Sequence, residues 1–228
     1  MSRALVVQHV ALEGPGRFAQ WLPSYGVELD VVRPYAGDAL PDVLEAEALI
    51  VMGGPMGAYD DEAAAWLPAV KRLLAAAVDA GIPTLGVCLG AQLLAVATGG
   101  RVERGGNGPE IGLGEVEVHT PDSLLALGAV PVVQWHFDTV TELPPGAELL
   151  ASSAAYPVQA YRVGAAAWGL QYHVEADPHL VAEWVRAEDR DERDVLAPIR
   201  AADASIAAAG EQVALRFAAV VNERAAQG

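Results

Sequence analysis

Gly81-Ile-Pro-Thr-Leu-Gly-Val-Cys88-Leu-Gly-Ala-Gln92 is the stretch on which the fold turns. Ile82 to Val87 is a short apolar run placed after a helix-stopping glycine, the pattern of a buried strand. From Leu89 to Thr98 the period becomes helical, with Leu93, Leu94 and Ala97 on one face. Cys88 therefore falls on a sharp corner between strand and helix, at the carboxyl edge of a sheet. There it faces the positive end of a helix, a place that favours a thiolate. This is the geometry of a nucleophile elbow with sulfur in place of oxygen. A lone cysteine is more often a small buried hydrophobe. Gly86 and Gly90, two residues to either side, remove the side chains that would collide at such a corner and tip the reading toward catalysis.

Working outward, strand-like runs alternate with helical ones through the first hundred residues. Val6–Val10, Val27–Val32, Ala48–Met52 and Pro83–Val87 read as strands. A helical stretch covers Phe18–Tyr25, a loose segment Pro34–Glu45, and an amphipathic helix Pro68–Ala80, with Val70, Leu73, Leu74, Ala77 and Val78 on one side. The alternation predicts a doubly wound parallel sheet that binds ligands at its carboxyl edge. After Gly100 the pattern changes to short strands, Glu115–His119, Val130–Trp135, Glu148–Ser152, Val158–Val163 and Ala166–His173, joined by turns containing Pro or Gly. Such runs add antiparallel hairpins to a main sheet. Asp177-Pro178 starts a helix that buries Leu180, Val181, Trp184 and Val185, and an Ala-rich helix is expected over Asp203–Ala225. The simplest organisation is one domain over residues 1–228.

Composition narrows the class. One cysteine among 228 residues rules out an intrachain disulfide and any multi-cysteine metal site, and suits a reducing cytoplasm. The first apolar run is too short for a secretion signal, and no stretch reads as membrane-spanning. A cytoplasmic protein that does not engage membranes is expected. Fourteen basic against thirty acidic residues, a formal charge of −16, argue against nucleic acid as a partner. The run Glu188–Asp194 mixes signs and reads as a solvated helix face or loop. Gly105–Pro109 is glycine-rich but does not lead from strand to helix, so it is not a phosphate loop. His9, His119 and His179 lack metal-ligand spacing and read as surface or strand-end residues; no metal is expected.

A thiolate needs a base, and the base an orienting group. In Trp168-Gly-Leu-Gln-Tyr-His-Val-Glu175, His173 and Glu175 lie two apart, which on a strand points both to one side. The carboxylate then reaches the imidazole nitrogen turned away from the sulfur. A third element, Val51-Met-Gly-Gly-Pro-Met-Gly57, begins where the strand Ala48–Met52 ends, at the edge where Cys88 also emerges. Glycines there let backbone N–H groups approach an oxyanion.

In this order and separation, Gly-Gly-Pro (Gly53 to Pro55), Gly-x-Cys-x-Gly-x-Gln (Gly86 to Gln92) and Gly-Leu-Gln-Tyr-His-x-Glu (Gly169 to Glu175) resemble the class I glutamine amidotransferases, which release ammonia from glutamine. The likeness covers nearly the whole chain and is greatest to the stand-alone branch similar to the amidotransferase domain of GMP synthase, through Pro109-Glu-Ile-Gly112, Trp135-His-Phe-Asp138 and Leu143-Pro-Pro-Gly146. It implies a flavodoxin-like α/β fold, a doubly wound, mostly parallel sheet with added antiparallel strands after residue 100. It implies Cys88 as nucleophile, His173 as general base and acid, and Glu175 as the orienting carboxylate. The backbone N–H groups of Gly54 and Leu89 would form the oxyanion hole. Gln92, Trp135 and His136 would bind the substrate. No cofactor is implied. The partners implied are glutamine or another γ-glutamyl substrate and an ATP-dependent synthetase or ligase on another chain, since no pyrophosphatase loop or Walker sequence is present here; oligomers are compatible with this. Val174 stands where the family commonly has Pro, and Phe137 where it often has Gly; the second reshapes the amino-acid pocket. A γ-glutamyl peptidase with the same triad is the enzymatic alternative. A non-catalytic regulatory subunit is the alternative from another class.

Overall fold

Ser2–Val7 (β1) is apolar at almost every position, and only Arg3 reaches solvent. A strand of that kind is stable only with both faces covered. The computed structural model describes residues 1–227 and covers it twice. Ala4 and Val6 pack with Phe18–Ser24 (α1) and a long C-terminal helix; Leu5 and Val7, pointing the other way, pack with helices on the opposite face. Val27–Val32 (β2) and Ala48–Val51 (β3) flank β1 in parallel. Leu67–Asp79 (α2) then leads to Thr84–Val87 (β4), parallel to β3, and Leu89–Ala97 (α3) follows the turn at Cys88. Both α2 and α3 lie on the Leu5 and Val7 face.

The remaining strands are Arg101–Arg104 (β5), Glu110–Val118 (β6), Gly128–His136 (β7), Asp138–Glu142 (β8), Glu148–Ser152 (β9), Ala160–Val163 (β10) and Ala167–Leu170 (β11). The main sheet runs β2-β1-β3-β4-β11-β10-β9-β6-β7. Its first five strands are mutually parallel, because β11 returns beside β4 in parallel, and the rest are joined by antiparallel pairings. This is the expected doubly wound sheet with antiparallel additions. Pro178–Ala187 (α4) and Glu192–Ala225 (α5) close the chain, with α5 lying across β6 and β7 as well as against α1.

Several boundaries differ from the sequence reading. β1 ends at Val7, not Val10, because residues 8–13 peel away over the carboxyl edge of the sheet. β11 ends at Leu170, so His173 and Glu175 are not on a regular strand. β5 and β8 form a separate two-stranded ribbon that the sequence concealed, since Arg101, Glu103 and Arg104 are exposed and give no apolar run. α5 starts eleven residues before Asp203 and runs through Pro198; Asp191 caps its first turn by accepting from the Arg193 N–H at 2.8 Å. α5 is also long and apolar enough, by length and composition, to cross a membrane, contrary to expectation. Among its apolar side chains, Leu196, Ile199, Ile206, Val213, Phe217 and Val221 are buried in the protein core.

Candidate active site

The elbow at Cys88 has the strain its sequence implies. Its φ of 52° and ψ of −108° fall where a side chain is rarely tolerated, and it is one of two non-glycine residues with positive φ among those described. Backbone packing holds it there. The Cys88 N–H donates to Leu170 O at 2.8 Å, and Cys88 O accepts from Gln92 N at 3.1 Å, opening α3. The flanking glycines are required by contact. A β-carbon on Gly90 would overlap the carbonyl oxygen of Val51, and one on Gly86 would meet the Gly90 carbonyl at 2.5 Å. The helix thus crosses β3 and β4 at backbone distance, and the thiol is pushed outward, 6% exposed, with Sγ 3.6 Å from Trp135 O.

His173 arrives from the neighbouring strand by a route the sequence did not show. Beyond β11 the chain bends, and a single bridge, His173 N–H to Val133 O at 2.9 Å, ties it to β7. The ring is 1% exposed and packs against the indole of Trp184 on α4, with centroids 4.7 Å apart. Trp184 is itself anchored by its Nε1–H to Leu12 O at 2.8 Å. His173 Nδ1 lies 2.7 Å from Glu175 Oε1. The two residues therefore meet as expected, but across a bend and not along a strand. Burial opposes a charged ring, yet the Glu175 and Cys88 charges and the hydrogen bond to Glu175 outweigh it and hold His173 well above its ordinary value. A base that carries its proton beside a sulfur is the condition for a thiolate–imidazolium pair. Glu175 is fixed in turn by Arg17 N–H, which donates to Glu175 O at 2.9 Å; its Oε2 is buried without a partner.

The Gly53-Gly54 turn and the first residue of α3 adjoin one another. A β-carbon on Gly54 would lie 3.0 Å from Leu89 Cδ2 and 3.1 Å from His9 Cβ. The Leu89 N–H belongs to the first turn of a helix, where no intrahelical acceptor exists. The Gly54 turn and the start of α3 thus lie side by side, and Gly54 lines the same cavity as Cys88.

A cavity of about 140 Å³ opens over the thiol. Gln92, Trp135, His136 and Phe137 all line it, so the structure brings the sequence-derived binding residues together. Their groups are partly committed. Gln92 Nε2 donates to Asp138 O at 3.0 Å and Gln171 Oε1 at 3.2 Å, leaving Oε1 for a ligand. His136 has both ring nitrogens engaged, Nδ1 with Asp138 O and Nε2 with Glu110 Oε2, each at 3.0 Å, so it shapes the wall and has no free ring nitrogen for a ligand. Trp135 Nε1–H donates to Glu188 Oε1 at 2.8 Å. Phe137 lies between two guanidinium groups, Arg104 at 4.7 Å and Arg190 at 5.8 Å from its ring. Arg104, Glu13 and Glu188 also line the cavity and were not foreseen. Arg104 belongs to the concealed ribbon. Glu13 lies in a segment without periodicity, and Glu188 belongs to a charge run read as solvated.

His9 also departs from expectation. It is fully buried, its Nδ1 accepting from Trp66 Nε1–H at 3.0 Å, and burial lowers its pKa to about 4. Its position directly after β1 inside Val6–Val10 was the available signal. His119 and His179 are exposed as expected, and no group of three or more potential metal ligands occurs among the described residues.

Comparison with known proteins points the same way as this geometry. Residues 17–185 match the family model described as glutamine amidotransferase class-I. The glutamine-hydrolysing GMP synthase of Lactobacillus acidophilus is 37% identical over 137 residues, which is 58% of this chain and 25% of that protein. That of Thermus thermophilus is 40% identical over 144 residues, 61% of this chain and 27% of the relative. The chain thus spans about a quarter of the length of these curated relatives. A glutamine amidotransferase structure from Thermotoga maritima superposes with a TM-score of 0.87 at 29% identity, covering 95% of this chain and 98% of that one. One from Methylobacillus flagellatus gives the same score and identity over 95% and 94%.

Proposed function

This chain belongs to the class-I glutamine amidotransferase family, and we propose that it hydrolyses the γ-amide of glutamine through a thioester at Cys88, releasing ammonia to a synthetase partner. The observation that carries this reading is the buried His173–Glu175 pair, Nδ1 to Oε1 at 2.7 Å, with the Cys88 charge near enough to raise the imidazole. In the proposed cycle the thiol proton passes to His173 and the thiolate attacks the γ-carbon, breaking the C=O π bond. The resulting oxyanion is held by the N–H groups of Gly54 and Leu89. Glu175 keeps the ring in the orienting tautomer and stabilises the imidazolium; it takes no proton itself. The imidazolium then gives its proton to the γ-nitrogen, the C–N bond breaks, and ammonia leaves. Water, deprotonated by His173, cleaves the thioester to glutamate and regenerates the thiol. Gln92 Oε1 is assigned to the α-ammonium end of the substrate. Arg104, whose guanidinium lines the cavity, is assigned to the α-carboxylate.

A second reading, a γ-glutamyl peptidase, has one observation in its favour. A further cavity of about 320 Å³, lined by Val10, Ala11, Leu12, Trp184 and Ala187, shares Glu13, Pro55, Trp135 and Glu188 with the first. That is room for a leaving group larger than ammonia. Ammonia release from glutamine, measured beside amine release from a set of γ-glutamyl compounds with purified protein, separates the two. Glutamine turnover that rises when an ATP-dependent ligase is added supports the donor reading. Negligible glutamine turnover with brisk cleavage of a γ-glutamyl peptide overturns it.

A further inference from the structure

Glu13 borders both cavities, as Glu188 does, and its carboxylate meets His173 at Gly53. It sits on the segment Gln8–Glu13 that leaves β1 and folds back over the Gly53-Gly54 turn. A β-carbon on Gly53 would collide with the Glu13 carboxylate oxygen and lie 3.1 Å from His173 Cε1, so both groups press on the same face of that glycine. The ring carbon that approaches Gly53 beside Glu13 lies between Nδ1, held by Glu175, and Nε2, the nitrogen left free. The Glu13 side chain makes no hydrogen bond to another described residue.

Any amide cleaved at Cys88 has its leaving nitrogen next to His173 Nε2, because that nitrogen must receive the His173 proton. An unpartnered carboxylate beside that ring can accept a hydrogen bond from the leaving nitrogen. We propose that Glu13 is a further catalytic residue, whose carboxylate accepts an N–H of the leaving γ-nitrogen and orients its lone pair toward His173. The assignment rests on the hydrolase reading above and deepens it, by making the site selective for γ-glutamyl amides with a free N–H over γ-glutamyl esters. The shared wall of Glu13, Pro55, Trp135 and Glu188 then gives the departing amine its way out past Trp184. The charges facing Glu13 are His173, Glu175 and Glu188. Burial pushes its carboxyl up to about 7, against the pull of His173, so near neutrality the carboxylate form is available for an N–H donor to select.

Glutamine and glutamate γ-methyl ester form the same thioester, so kcat/KM on each isolates the leaving group. In Glu13→Leu, kcat/KM for glutamine is expected to fall roughly 10- to 100-fold, the worth of a hydrogen bond to a charged group, while the ester stays within about 3-fold. Glu13→Gln keeps the size and a weaker acceptor and is expected to fall between; it decides the matter where Glu13→Leu does not fold. Equal losses on amide and ester would mean that Glu13 only shapes the pocket, and an unchanged amide rate that it touches no leaving group; either overturns the assignment. A wild-type chain that cleaves neither compound overturns the hydrolase reading, and the assignment with it.

Discussion

His173 and Glu175 meet at 2.7 Å through Nδ1 and Oε1, both almost fully buried, at a bend that begins beyond the end of β11 at Leu170. An ion pair so placed is costly to desolvate and is stable only when each member is also held by other partners. His173 has Val133 and Trp184; Glu175 has the backbone of Arg17. The Glu175 charge thus favours a proton on the imidazole.

Removing the charge while keeping the shape tests this. Glu175→Gln is expected to lower the pKa of His173, because the neighbouring negative charge that raises it is gone. Activity is expected to fall by about 10²-fold, less than on loss of the nucleophile. NMR titration of the His173 ring reads the first effect and steady-state kinetics the second. A His173 titration identical to wild type would show that another carboxylate, with Glu13 the adjacent one, carries the role.

The thiol itself is tested by stoichiometry. A glutamine-like electrophile, such as a diazo-ketone analogue, is expected to add one equivalent of mass at Cys88. Cys88→Ala is expected to lose labelling and turnover while keeping the fold, since the strained elbow is set by backbone contacts and not by sulfur. His173→Asn is expected to lose at least about 10³-fold in rate, and the exposed His119 and His179 almost nothing. Undiminished turnover in Cys88→Ala would remove the nucleophile from the scheme.

What is legible in the sequence is local. The Cys88 elbow declares itself because Gly86, Gly90 and the change of period lie within a dozen residues, and the contacts that demand those glycines involve neighbouring elements. The spacing of His173 and Glu175 marks them as a pair, but the strand invoked to explain it ends at Leu170; the bridge to Val133 that places the ring comes from forty residues away. Glu13, Arg104 and Glu188 share a different obstacle. Each is a charged residue on a segment with no hydrophobic period, and charge in such a segment ordinarily means solvent. Only the folding of residues 8–13 over Gly53, the pairing of β5 with β8, and the Trp135–Glu188 hydrogen bond carry them to the cavity. His9 escapes the sequence reading because a polar residue at a strand end is usually wet, whereas here the ring is buried, with Trp66 donating to Nδ1 and Nε2 left without a partner among the described residues.

Gly90→Ala sets two magnitudes against each other. Alanine is favoured over glycine inside a helix by about 1 kcal/mol. Its β-carbon would overlap the Val51 carbonyl oxygen, a backbone atom of a central strand that cannot swing aside. The clash wins, and a net destabilisation of at least about 2 kcal/mol is expected, read as a lower urea midpoint. A variant as stable as wild type would mean that α3 can slide off β3, and that the elbow is looser than its contacts indicate.

Stability should also depend on pH through His9. Its folded pKa, about 4, lies below the ordinary value of 6.5, because burial disfavours the charged ring. The unfolded chain therefore binds a proton that the folded chain refuses as pH falls below 6.5. The sign is fixed: the stabilisation from a neutral His9 is complete above 6.5 and is lost as pH drops through the window from 6.5 to 4. A tenfold weaker hold on the proton is worth about 1.4 kcal/mol, so the loss across that window amounts to about 3 kcal/mol. His9→Asn is expected to be less stable than wild type at pH 8, where it loses packing under Gly54, but to have a shallower decline toward pH 4.5. Urea unfolding of both proteins at pH 8, 6.5, 5.5 and 4.5 gives the two slopes. Parallel curves would show that His9 takes up its proton in the folded state, and that the Gly54 turn rests on a charged imidazole and not a neutral one.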